Sequence, residues 1–438
     1  MKRLIIALLL PLVPYAATLS QPTPPASLSL ADCRRMALAH NEQIKAADNA
    51  VRQAELDRQI AFAGYLPKVD GSLTGAFLKD MDLMDFKLQM RGMYMAGLNV
   101  TQPLYAGGQI TAANRLAAIG KDVSEEQRRQ TRMQVIADVD KAYYSLIAVQ
   151  SKVTMLEAYA EQMQGLYDQV ALSVRAEMAT QNDLLRISTK QNEISYQLQK
   201  ARNGAELCRL SLANIIGTDF DAPLTLTDTA PYAATLSQTL TEDITARPEL
   251  HLLEKQVEAK EQQVKMARAN YLPTVGLSLG YSHYDNIKLK GTTLLDDGTP
   301  YSFKETIKGN SPMALLSVSV PLFHWGAEFK KVKKAKLDVD NARLQLQQSE
   351  RGMRIEVRQA IQNLTDGQRM VETAQVGQQQ AEENLRQMRQ KYDAQLATMT
   401  DLLDAQSQWQ QARSNLIEAQ TQLRIYETEY LRVTGTLE

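Results

Sequence analysis

The chain has 438 residues, with 49 Lys and Arg against 50 Asp and Glu and a formal net charge of −1, which excludes a basic nucleic-acid clamp as a whole-chain property. Two cysteines, Cys33 and Cys208, exclude a disulfide scaffold or a cysteine-ligated zinc domain, and four scattered histidines (His40, His251, His283 and His324) argue against a His-based metal site. A mean hydropathy of −0.33 excludes a polytopic helical membrane protein.

The N-terminus reads as a secretory signal. Lys2 and Arg3 are the positive flank, and Leu4 to Val13 is an apolar run too short to span a bilayer. Tyr15-Ala16-Ala17 offers cleavage after Ala17, so residues 1–17 are expected to be removed on export. Leu30-Ala31-Asp32-Cys33 superficially looks like a lipidation box, but Asp32 is wrong beside an acylated cysteine.

From there the chain is one unit written twice. Tyr65-Leu66-Pro67-Lys68-Val69 recurs as Tyr271-Leu272-Pro273-Thr274-Val275, and Val100-Thr101-Gln102-Pro103-Leu104 as Val318-Ser319-Val320-Pro321-Leu322. Ala179-Thr180-Gln181-Asn182-Asp183-Leu184-Leu185 recurs as Ala397-Thr398-Met399-Thr400-Asp401-Leu402-Leu403, and Gly217-Thr218 as Gly435-Thr436. The last three matches share one offset of 218 residues. The expected organisation is a first repeat over 18–217 with a β-hairpin at about 65–105, a linker over 218–246, and a second repeat over 247–438 with a hairpin at about 271–323.

Each repeat opens with a stretch rich in good helix formers, about 28–63 and 247–270, broken by Tyr-Leu-Pro. Two segments of period-two alternation follow. Val69, Leu73 and Phe77 oppose Asp70, Ser72 and Thr74; Tyr94, Ala96, Leu98 and Val100 oppose Asn99 and Thr101. In the second repeat the odd-numbered apolar residues from Val275 to Tyr281 form one face, and Ala314, Leu316, Val318 and Val320 oppose Leu315, Ser317 and Ser319. These are strands with one apolar face. The segments between them, about 78–92 and 285–310, read as polar loops, and Asp80, Asp82, Asp85 and Asp296-Asp297-Gly298 as solvated charges lacking calcium-loop spacing. Met81, Met84, Met90, Met93 and Met95 read as apolar filler and lipid-facing surface rather than a copper or silver relay.

Pro67, Pro103, Pro273 and Pro321 mark the switches between helix and strand. Beyond Pro103 and Pro321 the pattern stays helical for about 70 residues, roughly 105 Å of helix, which no globular core needs. A return helix then carries a heptad seam: Leu402, Ala405, Trp409, Ala412, Leu416, Ala419, Leu423, Tyr426, Tyr430 and Val433, matched by Leu184, Ile187, Gln191, Ile194, Leu198, Ala201, Ala205, Cys208, Leu212 and Ile215. Cys208 is thus read as a packing residue, with a Cys33–Cys208 disulfide as the minor alternative. Four strands with an apolar face cannot stand alone in lipid, because their open edges leave backbone groups unpaired. Three copies would supply twelve strands and one closed barrel, with long helices forming a tube beneath it.

Taken in order and twice over, these motifs, with Gly108, Gly326 and the opening Leu28-to-Leu38 stretch, resemble the TolC-like outer-membrane efflux proteins across the whole mature chain. The resemblance implies a mixed α+β, mainly α fold: duplicated long helical hairpins, with four strands per protomer completing a trimeric barrel. It implies a homotrimeric exit duct in the outer membrane of a Gram-negative bacterium, reaching into the periplasm. The partners would be outer-membrane lipid, a periplasmic adaptor (membrane fusion protein) and an inner-membrane RND or ABC transporter, with no nucleic acid. A type I protein-secretion duct is the variant reading, and a periplasmic coiled-coil adaptor the reading from another class, against which the duplicated strand pairs argue. No phosphate loop, metal-spaced cluster or nucleophile–base pair stands out, so neither an enzyme nor a cofactor is expected. By the resemblance, Asp401 and Asp404 would line the periplasmic pore constriction, and Tyr392 would link to Asp183 of a neighbouring entrance helix. Ala397 stands where the family archetype has a gating Arg, and Glu177 and Gln395 stand where a tip glycine is common.

Overall fold

Ser29 starts the first helix with a capping box to Asp32 in the computed structural model, which describes residues 27–83, 86–221, 224–228, 240–295 and 299–438. The signal peptide, Met84, Asp85, Asp296-Asp297-Gly298 and part of the linker lie outside the described residues. The single opening helix expected from the sequence is two, α1 (Leu30–His40) and α2 (Glu42–Ala63). Asn41 divides them: its Oδ1 accepts from the Gln43 amide at 2.9 Å, and its Nδ2 donates to the Ile215 carbonyl at 3.0 Å.

The strands form one antiparallel sheet. β1 (Lys68–Phe77) pairs with β4 (Arg91–Ala106), β4 with β5 (Thr274–Leu294), and β5 with β6 (Pro300–Ser319). Short β2 (Met81–Leu83) and β3 (Phe86–Gln89) pair with each other, and β3 continues the line of β4 along β5. The segments expected to be loops are therefore largely strand, since Ile287 to Leu294 still pairs with Ile307 to Pro300. A ladder is held by backbone hydrogen bonds and needs no apolar face, so alternation under-reads it.

Register decides which side chains share a face. Val69, Val100, Leu279 and Ala314 lie in one row across four strands, and Leu277 lies beside Leu316 and Val275 beside Val318. The intervening rows hold Asp70, Asn99 and Gly280, and Ser72, Gly97, Ser282 and Ser311. Between the Val275–Val318 pair and Tyr281, one face of the sheet is thus apolar and the other mostly polar. Met93 pairs with Ala76 and Met95 with Thr74, so both lie on the polar face, which corrects the lipid-facing reading of these methionines.

The helix–strand switches differ in detail. In the first repeat Gln102 donates to the Tyr65 carbonyl at 3.0 Å, joining the two ends of the hairpin. Pro103 lies inside β4, beside a register shift that its missing N–H accommodates. Pro67 and Pro273 sit just before β1 and β5, and Pro321 just beyond β6.

Helices α3 (Gln109–Arg175) and α6 (Ala327–Asp393) have 67 residues each, α4 (Gln181–Ile216) and α7 (Met399–Thr434) have 36 each, and α2 and α5 (Pro248–Ala269) have 22 each. Near the sheet they pack in the order α2, α3, α5, α6; toward the far end the order is α4, α3, α7, α6. No residue of either heptad seam is exposed. Gly217 and Gly435 end α4 and α7 in the left-handed conformation. Between the two zones, buried Asp140 accepts from Arg34 Nε at 2.7 Å and from Thr428 Oγ1 at 2.7 Å, tying α1, α3 and α7 together. Cys33 is buried in the same region, where desolvation pushes its thiol up to about 12, and both cysteines are free thiols. Among the described residues no helix is long and apolar enough to cross a membrane.

Candidate functional site

The end of the helices farthest from the sheet is two near-identical tips. At the first, the Met178 amide reaches the Ser173 carbonyl at 2.8 Å and the Glu177 amide reaches Val174 at 3.0 Å. At the second, Leu396 reaches Lys391 at 2.8 Å and Gln395 reaches Tyr392 at 2.9 Å. This is a Schellman ending, which puts the penultimate residue at positive φ: 59° for Glu177 and 62° for Gln395. A left-handed residue with a Cβ is disfavoured by roughly 1–2 kcal/mol relative to glycine. Both tips carry that strain, and Glu177 and Gln395 are exposed.

The next helix starts immediately, with a capping box at each tip. Thr180 Oγ1 donates to Asp183 at 2.6 Å and accepts the Asp183 amide at 3.2 Å. Thr398 Oγ1 donates to Asp401 at 2.7 Å, and the Thr398 amide adds a bond at 2.9 Å. The hydroxyl and amide of Thr398 hold the Asp401 carboxyl below the usual carboxylate range, so it is anionic at neutral pH. Asp404 stands one turn further along α7, exposed and on the same side of the helix.

Tyr392 is half-buried against the apolar cluster that holds Met399, Tyr159 and Ile187. Burial raises its hydroxyl pKa, with the Asp183 and Asp393 carboxylates adding to the shift. Within one protomer, then, Tyr392 and Asp183 are neighbours, but the hydrogen bonds that Asp183 accepts come from Thr180. Sequence reasoning missed two residues here. Arg186 Nη1 donates to Thr400 Oγ1, linking α4 of the first repeat to α7 of the second. Met399, 3% exposed, packs with Tyr159, Met163 and Ile187 and joins the two tips through the core. Their signal was the repeat alignment itself: Arg186 occupies the position of Asp404, and Gln181 that of Met399.

The sequence matches the outer membrane efflux protein family over residues 34–218 and 240–436. The chain belongs to that family. It is therefore an outer-membrane protein whose long helices extend into the periplasm, and its relatives are channels rather than enzymes. Among curated proteins, it is 23% identical to the proteases secretion protein PrtF of Dickeya chrysanthemi over 412 residues, 90% of this chain and 85% of that one. Among solved structures, it resembles CusC at a TM-score of 0.78 and 14% identity, covering 94% of this chain and 92% of the other. The Campylobacter jejuni CmeC outer membrane channel matches at a TM-score of 0.75 and 19% identity, covering 93% and 86%.

Proposed function

We propose that three copies of this efflux-family chain close into one exit duct, open to the outside through a twelve-stranded barrel and to the periplasm through the helical tips. The observation that carries this is a matched pair of unfinished edges. Among the described residues the free edges of the sheet are β1 with the short β2 on one side and β6 on the other, and β1 and β6 each adjoin a helix with an unpartnered side. Leu56 and Ile60 on α2 and Leu185, Tyr196 and Leu207 on α4 are exposed along one edge; Leu337, Leu344 and Ile355 on α6 are exposed along the other. Apolar stripes at helical spacing are seams awaiting a partner. Joining the α6 edge of one copy to the α2/α4 edge of the next buries both stripes and pairs β6 with β1. A head-to-tail contact of this kind closes into a ring when its rotation completes the circle, which three copies would do here.

At the tips, three copies of Asp401 and three of Asp404 would surround the axis. Like charges gathered this closely attract cations, so the entrance is cation-selective and is blocked by multivalent cations from the periplasmic side. Single-channel recording tests this: Asp401→Ala/Asp404→Ala should lose both selectivity and block, and survival of both places the constriction elsewhere. A Tyr392–Asp183 link between neighbouring helices would hold the entrance with little ionic contribution, Ala397 having no charge to add. The exposed Glu177 and Gln395 tips are the docking surface for a periplasmic adaptor, behind which an RND or ABC transporter loads the duct.

The cargo divides into two readings. Efflux of small molecules follows the family as a whole. Export of a polypeptide is favoured by the alignment to a proteases secretion protein along 90% of this chain. Deleting the chain from its host separates them: sensitised growth on toxic small molecules supports efflux, and loss of a polypeptide from the medium supports secretion.

A further inference from the structure

Immediately below the sheet, α6 begins Ala327-Glu328-Phe329-Lys330-Lys331-Val332-Lys333-Lys334-Ala335-Lys336, and all five lysines are exposed. Lys331 pairs with Glu328 at 2.9 Å; the other four form no ion pair among the described residues. Like charges three and four residues apart destabilise a helix, so helix stability does not account for them. The duplication supplies an internal control. The equivalent positions at the start of α3 are Ala112, Ala113, Arg115, Leu116 and Ala118, a single charge on the same backbone.

The neighbourhood of these lysines is that of a membrane boundary. The apolar face of the sheet ends at Val275 and Val318, and directly after it come exposed Leu322, Phe323 and Trp325. Phe323 and Trp325 pack ring to ring at 5.1 Å, and Tyr271 stacks on Phe329 at 5.2 Å. The first-repeat counterparts of Phe323, Trp325 and Phe329 are Tyr105, Gly107 and Thr111. Aromatic rings sit at headgroup level, and clustered lysines beside a membrane-embedded element attract anionic lipid. At about 100° per residue, Lys331 and Lys334 fall on one flank of α6, and Lys333 and Lys336 on the other. The face between those flanks, with buried Val339 and Ala342, packs inward. Whichever flank is turned outward, it is therefore basic.

We infer that the start of α6, with its aromatic collar, binds the headgroups of anionic phospholipids at the periplasmic surface of the membrane. The inference rests on the duct reading, because it needs the sheet in the bilayer. It predicts that the trimer carries its lipid contact unevenly, three lysine-rich sites alternating with three α3 starts that carry the single charge of Arg115.

The test reconstitutes the full chain in nanodiscs of phosphatidylcholine with and without phosphatidylglycerol. Lipid retained by the trimer is read by native mass spectrometry, beside single-channel conductance in planar bilayers. Wild type should retain phosphatidylglycerol several-fold over phosphatidylcholine, less so as salt rises. K330Q/K333Q/K334Q/K336Q should lose the preference, the four Lys→Arg changes should keep it, and R115Q should leave it unchanged. A preference that survives the quadruple Gln variant overturns the inference. So does a variant whose trimer weakens equally in both lipids, since the lysines would then serve a neighbouring subunit. A conducting wild-type trimer with no lipid preference overturns this inference alone; a wild type that neither inserts nor conducts overturns the duct reading and this one with it.

Discussion

Helices α3 and α6 run 67 residues each and α4 and α7 run 36, yet the two halves of the chain present different chemistry at both ends. At the tips, one helix start carries Asp183 and Arg186 and its counterpart Asp401 and Asp404. At the membrane end, α3 starts with one charge where α6 has five lysines. Below the strands, Gln102 bridges to Tyr65 where the second repeat has the apolar Val320. The comparison teaches that backbone and side chains answer to separate demands here. Caps, seams and strand parity make the tube and are kept in both halves. Charges at the two ends of the tube are free to differ, because solvated surface groups contribute little to holding it.

The largest expected effect tests whether the two hairpins are equivalent in lipid. Val100 and Leu279 share a row in the middle of the apolar face. Val100→Arg and Leu279→Arg should each destabilise the assembled barrel by about 2–4 kcal/mol. Thr101→Arg and Ser278→Arg, on the polar face, should be far milder. Urea titration of heat-modifiable trimer in bilayers measures this, and a loss confined to one repeat would break the equivalence.

Next come the left-handed glycines at the ends of the long helices. A Cβ on Gly435, at φ +78°, would lie 2.4 Å from the Ala246 carbonyl oxygen, and one on Gly217 2.9 Å from His40 Cβ. Gly108 and Gly326 are also left-handed but have open space there. Gly326→Ala should therefore lose only the roughly 1–2 kcal/mol of the left-handed backbone, and Gly435→Ala distinctly more, read as denaturant midpoints. Equal losses would mean that the linker near Ala246 yields.

The smallest effect sharpens the tip comparison. Thr180→Ala and Thr398→Ala each remove a cap worth about 1 kcal/mol. The bond to Asp401 holds that carboxyl below its unfolded value, so its contribution is present above the ordinary carboxylate pKa and fades as pH falls through the depressed one. Protection of the amides at the start of α7, taken relative to their intrinsic exchange rate at each pH, should fall in acid in wild type and lose that fall in Thr398→Ala.

Much of this was legible before any coordinates, wherever a property is local. Period two assigns strand faces, period three to four assigns the seams, and Thr-x-x-Asp marks a helix start, because backbone geometry alone puts those residues together. The duplication was legible for the same reason: matched local signals recur at one spacing. Tertiary structure decided what depends on segments distant in sequence. The β1–β4 register set Met93 beside Ala76 and Met95 beside Thr74 on the polar face, and the ladder carried β5 and β6 through residues that alternate poorly. Asn41 broke the first helix because the Ile215 carbonyl lies within its reach, and Arg186 found Thr400 because the two tips stand side by side. Such contacts join positions 174 and 214 residues apart, where no sequence period operates and only tertiary packing selects the partner.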